Sequence, residues 1–220
     1  MRIFQILIKR TFDIIISLLA LIFLLPLFLV IAILIKLTSK GPVFFLQDRI
    51  GLHGKVFKII KFRTMIVNAE YIGEGIRVSS EKDSRITTIG RLLRATSLDE
   101  LPQLVNVLMG TMSLCGPRPP VTYVPYEGYD NYPNELKKRF EMRPGITGLA
   151  QATVRNSATW AERIVIDIEY VQKFSLWLDI KIFVLTIKKV FKSDAIYGTS
   201  DQKAQEKVTD DTNEQKTSVR

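Results

Sequence analysis

Residues 14–35 read IIISLLALIFLLPLFLVIAILI, apolar throughout except for Ser17 and carrying one proline, Pro26. At about 1.5 Å per residue, a helix of this length just crosses a hydrocarbon core of about 30 Å. Three arrangements suit such a run: a cleavable signal peptide, a spanning helix, and a helix that enters and leaves by the same face. The run is long for a signal core, and Ile31–Thr38 offers no convincing small-x-small cleavage site. Lys9 and Arg10 precede it while Lys36 and Lys40 follow, so the positive-inside tendency draws both ends to the cytoplasm. Pro26 removes a backbone donor and crowds the preceding turn, which bends a helix where a reversal is needed. The basic flanks and the proline together favour a re-entrant membrane helix turning at Pro26, with Ser17 as a local partner for freed backbone groups. A straight spanning helix is the strongest alternative.

The rest of the chain is a different material. Of its 220 residues 47% are hydrophobic and mean hydropathy is +0.13, yet 24% are charged. Those figures exclude a polytopic transporter and suit one polar domain attached to an apolar segment. The formal net charge of +9 serves nucleic acid, an anionic membrane surface or phosphate-bearing substrates equally well. Cys115 is the only cysteine, which rules out an intrachain disulfide and a multi-cysteine metal site.

The chain divides into an anchor over residues 1–40, a domain over 41–198 and a tail over 199–220 that is polar, lacks aromatics and reads as disordered. Within the domain, Val43–Arg49 and Val56–Met65 are rich in β-branched and aromatic residues and flank Gly51-Leu52-His53-Gly54, the pattern of a β-hairpin. Helices are expected from Thr88 to Ala95, Ser97 to Met109, Glu135 to Glu141, Trp160 to Phe174 and Leu178 to Lys192. Gly116–Pro120 reads as an extended turn, since three prolines in four residues forbid helix and central strand, and Arg143–Gly148 reads as another turn. In the last helix Lys181, Lys188 and Lys192 share a face apart from Ile180, Phe183, Val184, Ile187 and Phe191. That is the pattern of an interfacial amphipathic helix, and equally of an ordinary helix with one face in a core. The expected class is therefore α+β: a mostly helical domain with a small hairpin, anchored by the N-terminal helix and by interfacial helices.

Asp99-Glu100 is the chemical centre of this sequence. Ser97-Leu98-Asp99-Glu100 matches a capping box, which would occupy Glu100 with the backbone. Pro102, best placed at a first helical position, would instead start the helix later and leave the two carboxylates in the turn before it. Either register sets Asp99 near a helix N-terminus, where the dipole favours the ionised carboxylate that a nucleophile or a metal ligand requires. Lys61, Arg63, Arg118, Arg143 and Arg155 all lie beside turns or breaks, and Arg91 and Arg94 precede the pair. Arg118, between Pro117 and Pro119, sits on stiff backbone suited to bidentate phosphate recognition. Cys115 reads as a small packed residue, and His53, the only histidine, lies in a turn between glycines. Acid-base or nucleophilic work therefore falls to carboxylates.

These blocks resemble the bacterial sugar transferase family, the small monotopic phosphoglycosyl transferases. The likeness runs from Lys9 to Gly198. It rests on Lys9–Asp13, Gly41–Phe45, Gln47–Gly51, Lys61–Met65, Thr96–Leu104 with Asn106-Val107, Gly116–Pro119, Arg143–Gly148 and Trp177–Lys181. The resemblance implies a re-entrant membrane helix, Mg²⁺ dependence and a catalytic pair carried here by Asp99 and Glu100, with Asp99 also the metal ligand. It implies that Asp99 attacks the β-phosphate of a UDP-sugar, that UMP leaves, and that polyprenol phosphate then takes the phosphosugar from the enzyme. Lys61, Arg63, Arg94, Arg118 and Arg155 are the expected donor-binding residues. Membrane lipid is an expected partner and nucleic acid is not, a homodimer is compatible with the reading, and the location implied is the cytoplasmic face of a bacterial inner membrane. One feature departs from the family pattern: Leu25 precedes Pro26 where many members have serine. A conventional glycosyltransferase would release UDP instead of UMP. A membrane adaptor would explain the charge and the amphipathic helix, but not the Asp99-Glu100 and Arg118 blocks.

Overall fold

The computed structural model describes residues 2–72, 83–154 and 158–192. Arg155 and the tail from Thr199 lie outside the described residues. Helix α1 (Arg2–Thr38) runs through Pro26 as one helical segment. Strands β1 (Phe44–Ile50) and β2 (Val56–Phe62) form the expected antiparallel hairpin, pairing Phe45 with Lys61 and Gln47 with Ile59. His53 takes a left-handed conformation in the turn, with φ of 52°.

Helix α2 (Thr88–Thr96) is tied to the exit of the hairpin. Thr87 caps it by accepting from the Gly90 N–H, and the Thr87 backbone N–H and hydroxyl both donate to Thr64 O. Gly90 itself lies against Thr64 O, so that a Cβ there would collide with backbone. The helix expected over Ser97–Met109 is broken. Ser97 is left-handed with φ of 58°, a 3₁₀ turn covers Leu98–Glu100, and α3 (Gln103–Leu108) starts only after Pro102.

Strand β3 (Ser113–Cys115) pairs in parallel with β4 (Gly145–Thr147). The Arg143–Gly148 stretch is thus partly a strand and not only a turn. The pairing is permitted because Gly116 and Gly145 let two backbones approach where a Cβ would meet main-chain atoms. Short α4 (Asn134–Lys137) and a 3₁₀ turn over Lys138–Glu141 replace the single helix expected there. Helices α5 (Leu149–Thr153), α6 (Trp160–Gln172) and α7 (Leu176–Lys192) complete the order. Thr159 and Glu162 form a reciprocal capping box at the start of α6.

Burial is spread over small clusters. Cys115, Met142, Ala152, Tyr170, Val171 and Ile182 join β3 to α5, α6 and α7. Ile31 and Ile35 of α1 pack with Phe62 and Leu93. At the other end of α1, Lys9, Asp13 and Ser17 are buried at four-residue spacing. Lys9 bridges Asp179 at 2.5 Å, and Asp13 accepts from the Ser113 hydroxyl and the Leu114 N–H. Ser17 is fully buried, and among the described residues its hydroxyl has no partner, so it gives no help at Pro26. Between these docked ends Leu18, Leu19, Ile22, Phe23, Leu25, Leu29 and Val30 are exposed. Helix α7 buries Ile182 yet leaves Trp177 (74%), Ile180, Phe183, Val184 and Ile187 open.

Among the described residues Lys9 is the sole cation bridging two carboxylates, the buried Asp13 and the partly buried Asp179. Lys9→Met should therefore destabilise the fold by about 3–5 kcal/mol, because it strands uncompensated charge. Thermal unfolding in detergent would measure it, and an unchanged melting temperature would contradict the assignment.

Candidate active site

Three segments converge on Glu100. Lys61, next to last in β2, brings Nζ to 2.6 Å from Glu100 Oε1. Arg118, in the proline loop, brings Nη2 to 2.9 Å from the same oxygen. Ser97 makes no side-chain cap, and Glu100 is held by two cations, so the capping-box reading fails and the Pro102 register is the one adopted. The left-handed Ser97 allows this geometry: it ends α2 through Ser97 N–H to Arg94 O and turns the next residues back over the hairpin.

The two carboxyls titrate in opposite senses. Burial opposes it, but the charges and hydrogen bonds of Arg118 and Lys61 hold Glu100 well below the usual carboxylate range. Asp99 is pushed up to about 6, first by burial and then by the Glu100 charge, against the pull of Lys61, Arg94 and Arg118. The helix N-terminus expected to favour the ionised form of Asp99 is only a three-residue turn, and burial is the largest influence on this carboxyl. Asp99 remains mostly ionised at neutral pH. Among the described residues its carboxylate accepts no hydrogen bond, which leaves it the available nucleophile or ligand. Lys61 is lowered by burial, with Glu100 opposing, and Arg118 is raised by Glu100.

Lys61, Arg94, Arg118, Asp99 and Glu100 are therefore brought together. Arg94 acts on Asp99 by charge, and its buried Nε has no hydrogen-bond partner among the described residues. Arg63 is not part of the group. It is 5% exposed and donates to Lys40 O, Ser39 O and the Ser39 hydroxyl, pinning the exit of α1 against the end of β2. Sequence position misled here because the two residues, though close along the chain, are claimed by different neighbours: Lys61 in the strand reaches the dyad, while Arg63, just past its end, reaches the helix. Arg143 donates through Nε to Gly110 O and serves the exit of α3. Cys115 is buried with its thiol pushed up to about 12, first by burial, as befits a packed residue.

Three residues at the site escaped the sequence reading: Arg49, Arg139 and Asp167. Arg49 donates to Pro119 O and Arg139 to Arg118 O, while Arg139 pairs with Asp167 at 2.6 Å. The available signal was an aspartate on the inward stripe Ile164, Asp167, Tyr170, Val171 of α6.

The described residues hold no cluster of three or more potential metal ligands. Asp99 beside Glu100 still fits Mg²⁺, an ion commonly bound by one or two carboxylates together with substrate phosphates.

With divalent ions removed, Asp99 should titrate near pH 6. ¹³C-carboxyl NMR on aspartate-labelled protein would show it, assigned by loss of the signal in Asp99→Asn. Glu100→Gln should lower that midpoint by removing a neighbouring negative charge. A wild-type midpoint near that of free aspartate would refute the burial argument.

Residues 4–193 match the bacterial sugar transferase family. The chain is 41% identical over 198 residues to a UDP-glucose:undecaprenyl-phosphate glucose-1-phosphate transferase of Caulobacter vibrioides, covering 86% of this chain and 72% of that one. It is 39% identical to the exopolysaccharide production protein ExoY of Sinorhizobium fredii, covering 86% and 88%. It is 44% identical over 160 residues to the galactosyl transferase CpsE of Streptococcus agalactiae, covering 68% of this chain but only 35% of that longer relative. The dyad, the proline loop and the apolar helix all lie inside the matched residues, and the chain belongs to the bacterial sugar transferase family.

Proposed function

We propose that this protein moves a sugar 1-phosphate from a UDP-sugar to undecaprenyl phosphate, releasing UMP and starting a lipid-linked glycan. The observation that carries the reading is the division of labour in the dyad. Glu100 is committed to Lys61 and Arg118 through one oxygen, and Asp99 is left unengaged beside it among the described residues. Relatives named for this reaction support it.

In the first step an Asp99 carboxylate oxygen attacks the β-phosphorus. The bond from that phosphorus to the oxygen bridging to the α-phosphate breaks, and UMP departs with the bridging oxygen. The phosphosugar stays on Asp99. In the second step a phosphate oxygen of undecaprenyl phosphate attacks the same phosphorus, the bond to Asp99 breaks, and the carboxylate is restored. Arg118 and Arg94 hold the diphosphate, and Lys61 keeps Glu100 ionised beside it. Mg²⁺ held by Asp99 would neutralise phosphate charge that otherwise repels an incoming carboxylate.

Asp99→Asn is near-isosteric and should abolish UMP release while leaving the protein folded. Glu100→Gln should be severely impaired. Arg118→Lys should raise KM for the donor, because lysine lacks the planar fork. A screen of UDP-sugars with undecaprenyl phosphate, scored for UMP against UDP, tests the reaction. Intact-protein mass spectrometry with the right donor should show an added phosphosugar. Full turnover by Asp99→Asn, or release of UDP, would overturn the proposal.

The same reading puts both ends of α1 on the cytoplasmic face, with Pro26 as the turning point. Both ends dock on one domain, at Asp179 and Ser113 near one end and at Phe62 and Leu93 near the other, while the stretch between them is exposed and apolar. A helix crossing the bilayer would have to break the contacts at one end. With Cys115 replaced, Gln5→Cys and Lys40→Cys should both be shielded from an impermeant reagent in intact cells. Labelling at position 5 alone would establish a spanning helix.

A further inference from the structure

The loop that carries Arg118 is held by its carbonyls. Pro117, Pro119 and Pro120 have no N–H to offer. Pro117 O accepts from Gly145 N–H at 3.0 Å, Arg118 O from Arg139 Nη2 at 2.8 Å, Pro119 O from Arg49 Nη1 at 3.0 Å and Pro120 O from Ile50 N–H at 3.0 Å. Four consecutive carbonyls are thus pinned from outside the loop, two of them by guanidinium groups.

Arg139 is the deepest of these donors, 2% exposed, and its Nη2 also reaches Asp167 Oδ2 at 2.6 Å. Stability alone does not explain the pair. Desolvating two ions carries a penalty of several kcal/mol each, and apolar side chains of like volume often do as well or better. A charged pair can do one thing that an apolar pair cannot, which is to grip a peptide group. Arg139 donates to the Arg118 carbonyl through the same Nη2 that pairs with Asp167, so Asp167 fixes the group that holds the loop. The carbonyl of Arg118 is thus held by one buried ion pair, while its side chain, 39% exposed, reaches up to Glu100.

We propose that Arg139 and Asp167 are positioning residues for Arg118, fixing its guanidinium so that one arm stays on Glu100 and the rest faces the donor diphosphate. This inference rests on the phosphosugar-transfer reading. Neither residue touches substrate. The pair acts by limiting the backbone freedom of Arg118, and a bidentate phosphate contact tolerates displacement only on the order of 0.5 Å.

The test is a double-mutant cycle on the full chain in nanodiscs, reading KM for the UDP-sugar and, independently of turnover, Kd for UDP by calorimetry. Asp167→Asn should raise both about tenfold in the wild-type background, and by no more than about twofold in Arg118→Ala, because the group being positioned is gone. Arg139→Lys, which keeps the charge but loses the fork, should repeat the pattern. Equal factors in the two backgrounds would show that the pair is merely structural and overturn the inference. So would failure of both single variants to fold. A wild-type enzyme that neither binds UDP nor releases UMP from any UDP-sugar would sink the transfer reading itself, and this inference with it.

Discussion

The site depends on one oxygen. Glu100 Oε1 receives Lys61 from the hairpin and Arg118 from the proline loop, and so joins three segments that no regular element connects. Two cations on one carboxylate are favourable only if that carboxylate is ionised, and burial would otherwise protonate it. The arrangement is thus self-consistent in one direction: the cations keep Glu100 charged, and the Glu100 charge raises Asp99. Adjacent carboxyls are thus made unequal by their surroundings, one an anchor and the other left unengaged among the described residues. Because the two interact strongly, their titrations belong to the pair.

Support for this turn comes from polar pins more than from a large core. Among the described residues many of the buried apolar side chains fall into four modest clusters. Between them lie Asn106, whose side chain accepts from Ile60 N–H and donates to Lys58 O, and the pairs Arg139–Asp167 and Lys9–Asp179. Polar contacts of this kind are directional where apolar packing is not. They specify a register between α3 and β2 that methyl groups alone would leave loose. Such contacts suit a domain whose working parts must hold charged groups a few ångströms apart.

The sequence made the elements legible wherever local chemistry decides them. The hairpin followed from β-branched residues flanking a glycine turn, and of the two registers that the sequence left open for Asp99-Glu100, the one set by Pro102 leaves the pair in a turn, as found. Reading failed wherever the deciding partner was distant in the chain. Ser97 and Glu100 have capping-box spacing, but Lys61, 39 residues away, outcompetes the backbone for Glu100. Arg63 has the composition of a phosphate binder, yet the end of α1 claims it. Strand β4 was hidden because Gly145-Ile146-Thr147 is too short to show alternation, and its partner β3 lies far earlier in the chain. Arg139 and Asp167 were missed for the same reason: nothing local announces an ion pair between a 3₁₀ turn and a helix.

The exposed apolar surfaces are what the domain leaves uncovered. The Lys9–Asp179 bridge ties the start of α1 to the first turn of α7, so the open apolar middle of α1 and the open stripe of Trp177, Ile180, Phe183, Val184 and Ile187 belong to linked elements. Two apolar surfaces joined by a buried ion pair are most easily satisfied by one medium, since covering them separately would require two partners. At the other end, Phe62 packs on Ile31 and Ile35, and the residue before it, Lys61, reaches Glu100. The dyad is therefore one residue along β2 from the surface against which α1 docks. Under the proposed transfer, that proximity would spare an acceptor whose phosphate sits at the top of a long hydrocarbon chain from being drawn out of the bilayer. Only the head group would have to reach Asp99, and the tail would keep the solvent it prefers.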